Sequence, residues 1–133
     1  VLGLHWETLR LFLHVLAATV WVGGQLVLGA LVPALRRFDS KAPGVVARAF
    51  GRIAWPAFVL LVGTGVWNVV AVGSEGGAYR HTLEVKLGFV ALSGIAAFAH
   101  QRATSRTVLA VGGALAAVGA LAALLFGIQL SAD

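Results

Sequence analysis

The sequence predicts an all-α protein, a single integral-membrane four-helix bundle, and three observations predict it. The chain of 133 residues is 59% hydrophobic and only 11% charged, with a mean hydropathy of +0.93, which is too apolar for a soluble domain of this length. Its apolar residues fall into four runs, at about residues 8–34, 45–73, 81–101 and 106–130. Each matches or exceeds the roughly 20 helical residues needed to cross a hydrocarbon core about 30 Å thick. Finally, the cations gather at alternate links between the runs rather than along them.

That distribution also predicts sidedness. Arg36, Arg37, Lys41, Arg48 and Arg52 flank the first link, and Arg102 and Arg106 flank the third. Arg10, Arg80 and Lys86, at the opposite ends, are balanced by Glu7, Glu75 and Glu84. The positive-inside rule makes the Arg-rich links cytoplasmic and both termini outward-facing, in a multi-pass protein of the cell inner membrane. A formal charge of +5 can mark a nucleic-acid binder, but this distribution assigns the charge to topology and to the lipid bilayer, anionic lipid included. With neither Cys nor Met in the chain, no disulfide is available and the soft ligands preferred by Cu(I) are missing. A metal here is held by His, by carboxylate, or by a macrocycle that brings its own nitrogens.

The first helix runs from the interfacial Trp6 to Pro33, followed by a polar turn from Arg36 to Pro43. It is too long, and too polar along one stripe, for a cleaved signal peptide. Glu7, Arg10, His14, Trp21 and Gln25 fall on one side, at steps of three, four, seven and four. Gly23, Gly24 and Gly29 read as packing glycines. The second helix starts as a cytoplasmic amphipathic turn from Val45 to Arg52, passes Pro56 as a potential kink, and carries Thr64, Trp67 and Asn68 toward its outer end. A short Gly-rich loop predicts that the third helix is its antiparallel neighbour. That third helix bears two polar stripes, Lys86, Ser93 and His100 at steps of seven, and His81, Glu84 and Gly88. The fourth, Arg106 to Gln129, is dense in Gly and Ala from Gly112 to Ala123 and reads as a wall packing against neighbours or another protomer.

An ionisable residue at membrane depth costs several kcal/mol unless paired or ligated, so it marks function. Counted from the outer surface, Arg10, His14, Asn68 and Lys86 lie in the outer leaflet, with His5, Arg80, His81 and Glu84 at its rim; His100 lies at the cytoplasmic edge. Haem b suits this set, because it needs neutral imidazole for iron, aromatic walls for the ring and cations for its propionates. His14 is the expected proximal ligand and His81 the nearest second imidazole. Trp21 or Trp67 would stand beside the ring, and Arg10, Arg80 or Lys86 near the propionates. The alternative is copper, as Cu(II), on His5, His14, His81 and Glu84. A purely structural membrane subunit is the third class.

Three segments carry a resemblance. LHVLAATVWVGG, with His14 seven residues before Trp21, AFGRIAWPAFVLLVGTGVWN, with Phe50, Arg52, Thr64-Gly65 and Asn68, and YRHTLEVKLGFV, with Lys86, resemble the copper resistance protein D family over about residues 9–102. The His-to-Trp spacing and the Leu-x-x-Lys-Leu helix also resemble the bacterial membrane-embedded, haem-binding protoporphyrinogen oxidase. The first resemblance implies a membrane bundle concerned with copper uptake or export. The second implies that His14 and Lys86 are essential. Together they lead to an expected His-based redox-metal site, haem b first and copper second, working with a membrane redox partner or as a homo-oligomer.

Overall fold

The computed structural model describes residue 3, residues 5–73 and residues 76–132. Among these, all regular structure is helical: α1 (Trp6–Phe38), α2 (Ala42–Val72), α3 (Gly77–Arg102) and α4 (Arg106–Ala132). At 33, 31, 26 and 27 residues and 1.5 Å per residue, every helix is long and apolar enough to cross a membrane. Only 11 to 28% of each apolar window is buried within the protein. Side chains such as Phe12, Val15, Val70, Ile95 and Leu125 stand exposed. This is the pattern of a multi-pass membrane protein, whose apolar surface meets lipid rather than an internal core. The chain divides into two compact units, Val1–Gly73 and Ser74–Asp133, each built around one helical hairpin.

The breakers act later in the sequence than their identities suggest. α1 continues through Pro33 to Phe38, so the turn is three residues long rather than the eight expected. Losing one backbone donor at Pro33 does not stop a helix whose following residues still propagate it. Asp39 ends the helix with an extended backbone, and its Oδ1 accepts the Lys41 N–H at 2.7 Å, an Asx turn. Pro43 then falls in the first turn of α2, where no intrahelical donor is needed. α2 therefore begins at Ala42 rather than near 45, and α3 at Gly77 rather than 81. Gly73 closes α2 at φ +80°, a backbone conformation open chiefly to glycine. Ser105 caps α4 by accepting the Val108 N–H at 3.2 Å.

In the first unit α1 does not keep one α-helical period. Thr19–Gly23 forms a π turn, which adds about one residue and rotates all that follows by roughly 100°. The polar stripe read as continuous is therefore broken. Gln25 turns away from His14 and gives its amide to the Trp21 carbonyl at 2.9 Å. Within the π turn, Trp21, only 3% exposed, packs on Phe58 and Trp55 with ring centroids 4.4 and 5.4 Å apart. Of the three glycines expected to pack, Gly24 does so, since a Cβ there would run into the Phe50 ring; Gly23 and Gly29 face open space.

The second unit uses small residues instead. Gly112, Ala116, Gly119, Ala120 and Ala123 form the buried seam of α4, and it is α3 that lies against it. A Cβ on Gly119 would stand 3.1 Å from the Phe89 carbonyl and the Ser93 nitrogen, so backbone meets backbone. Buried Ser93 donates across the seam to the Ala116 carbonyl at 2.7 Å.

Candidate functional site

His14, half-buried on α1, is joined to α2 through Thr64, 50 residues away: its Nδ1 lies 2.8 Å from the Thr64 hydroxyl oxygen. The direction of that bond follows from the other contacts of the hydroxyl. Thr64 Oγ1 lies 2.7 Å from the Leu60 carbonyl and 3.2 Å from that of Leu61. Carbonyls only accept, so the single hydroxyl proton goes to them and the oxygen is left to accept from His14. Nδ1 therefore carries the hydrogen. In neutral imidazole this places the lone pair on Nε2, the arrangement in which a histidine ligates a metal while its other nitrogen is held. Thr64 is 3% exposed, so this bond is shielded from competing water. Gly65 stands beside the ring, with the place of an added Cβ 3.5 Å from His14 Cε1.

One turn from this cross-link, toward the N-terminus of α1 and the C-terminus of α2, stand Arg10 and Asn68. Both are half-buried. Arg10 Nε and Asn68 Oδ1 are the buried side-chain polar atoms without a hydrogen-bond partner among the described residues. Such orphans are rare enough in folded proteins to call for an explanation. Trp67, one residue from Asn68, is 42% exposed and stands on an outer face of α2.

Arg80, His81, Glu84 and Lys86 belong to the second unit. Arg80 and Glu84 form an i,i+4 ion pair at 3.6 Å on an exposed face, a contact worth at most a few tenths of a kcal/mol. The carboxylate proposed for copper thus has a cation beside it. His81 is exposed, and so is His5 at the start of α1. Lys86 is half-buried, its ammonium directed at α4 beside Gly127, where an added Cβ would come within 3.2 Å of Nζ. His100 is occupied within its hairpin. Its Nδ1 donates to the Leu109 carbonyl at 2.6 Å, and its ring lies against Gly113.

Within neither unit do three His, Asp or Glu side chains among the described residues form a group able to hold a metal ion. A site built from one imidazole is the chemistry available around His14. The sequence places Thr64 on the same helix as Asn68 and in the family resemblance but gives it no part beside His14; its one further signal was the apolar surroundings of a hydroxyl that shares a helix face with Asn68. Compared with known protein families, with characterised proteins and with solved structures, the chain matches none.

Proposed function

We propose that this chain is a copper resistance D-like four-helix membrane bundle that holds haem b through His14 for electron transfer. The observation that supports the reading is the Thr64 hydroxyl, which accepts from Nδ1 and so puts the lone pair of the neutral imidazole on Nε2, the nitrogen haem iron would take. A macrocycle brings four nitrogens and asks the protein for one or two imidazoles, whereas a protein-only copper site asks for several converging ligands. When bound, haem b supplies a one-electron couple. The chain's own part is to orient the imidazole, keep water from its hydrogen bond and present cations to acidic groups. The Arg-rich links lie on the cytoplasmic side of the inner membrane in this reading, the termini and His14 toward the outer side, and a membrane redox partner exchanges the electron.

The test is an absorption spectrum, oxidised and dithionite-reduced, of detergent-purified protein beside His14→Ala. The wild-type protein is expected to show a Soret band that sharpens on reduction, and the variant to lose it. Absence of the band in protein produced with ample haem overturns the proposal. Stoichiometric copper uptake by colourless protein, sensitive to His5→Ala and His81→Ala, would replace it with copper handling.

A further inference from the structure

Two buried polar atoms in the first unit, Arg10 Nε on α1 and Asn68 Oδ1 on α2, have no hydrogen-bond partner among the described residues, and each lies one turn along its helix from the His14–Thr64 cross-link. They form no hydrogen bond with each other. Arg10 also has no carboxylate partner among the described residues, the ion pair there being Arg80 with Glu84 in the second unit. A guanidinium at this depth without a counter-charge is costly.

From this juxtaposition the geometry points to a carboxylate subsite formed by Arg10 and Asn68, which takes a propionate of the haem held at His14. It rests on the haem reading and adds to it the edge of the macrocycle that faces outward. Arg10 supplies a charge-assisted N–H and cancels the negative charge. Asn68 supplies its NH2 after the carboxamide turns over. Oxygen and nitrogen exchange places in nearly the same shape, and that rotation breaks no bond, because Oδ1 has none where it stands. A carboxylate has enough lone pairs to accept from both, so a single group meets the unpaired Arg10 N–H, the NH2 of the turned amide and one uncompensated charge. A neutral hydroxyl would satisfy the atoms and leave the charge.

The experiment is a Soret titration of the purified chain in detergent with haem and, separately, with haem dimethyl ester, whose propionates cannot ionise. Wild type, Arg10→Gln and Asn68→Leu are compared. Wild type is expected to bind haem about tenfold or more tightly than the ester, the worth of a charge-assisted hydrogen bond. Arg10→Gln should bring the two affinities within about twofold by weakening haem alone. Asn68→Leu should narrow the difference part-way. Ester binding unchanged across the three proteins is the evidence that the variants are folded with His14 ligation intact. Equal affinity of wild type for both forms, or parallel weakening of both in Arg10→Gln, overturns the carboxylate subsite and leaves the His14 reading standing. Uptake of neither form by wild type overturns both.

Discussion

One hydroxyl sets the chemistry of the histidine it touches. Thr64 has a single proton and spends it on the Leu60 carbonyl of its own helix, which fixes its oxygen as an acceptor and the tautomer of His14. Giving a proton away also makes the oxygen a better acceptor, because chained hydrogen bonds polarise one another. Thr64→Val keeps shape and volume while removing that acceptor. With haem held at His14 as proposed, it is expected to weaken haem binding about 10- to 100-fold, as loss of a ligand's outer hydrogen bond does elsewhere. It should also raise the midpoint potential, since a less basic imidazole stabilises the ferric state less. Thr64→Ser should restore both. Equal affinity and potential in all three proteins, by Soret titration and redox titration, would remove Thr64 from the site. His14 itself was legible in the sequence, because an ionisable side chain in an apolar run stands out. Its bond to Thr64 was not, because threonine is common in membrane helices and the two partners lie 50 residues apart.

At the level of helices, the two hairpins are held by different means. α1 and α2 combine an aromatic cluster, a polar cross-link and a π turn. α3 and α4 pack along a seam of Gly and Ala with one buried serine bond, and such interhelical bonds in membranes average about 0.6 kcal/mol. Close backbone approach is therefore the main device in the second hairpin. Gly119→Ala places a methyl group 3.1 Å from two backbone atoms of α3, which cannot move as a side chain can, and is expected to cost about 1–3 kcal/mol. Gly23→Ala, which meets nothing within 4 Å, is the matched control and should leave stability unchanged. Thermal unfolding of both variants in detergent checks the pair; a control as damaging as Gly119→Ala would count against the backbone seam. The density of small residues in α4 announced close packing in advance. The identity of the helix it meets was a matter of which seam fitted.

For the molecule as a whole, the testable statement is its sidedness. The native chain has no cysteine, so single cysteines report accessibility without a background. A cysteine at Ser40 or Thr104, in the links between helices, is expected to react with a membrane-impermeant maleimide only in inside-out vesicles. One at Gly76 should react in intact cells. The reverse pattern would invert the topology and place His14 toward the cytoplasm. The charge rule behind this expectation acts on the Lys and Arg that flank the spans, and the five cations from Arg36 to Arg52 make the first hairpin its strongest determinant.

What the sequence determined by itself was the number and rough extent of the helices and their membrane character. These depend on summed transfer free energies over about 20 residues at a time, and such sums need no neighbour to be evaluated. It also picked out His14, Arg10 and Asn68, because a polar group in an apolar run is conspicuous wherever its partner lies. Only tertiary structure decided the pairings: His14 with Thr64, Ser93 with the Ala116 carbonyl and Gly119 against the α3 backbone. It also decided the π turn at Thr19–Gly23, which no residue type in that segment announces. Each depends on the register between two antiparallel helices, and register is set by how side chains far apart in the sequence fit together.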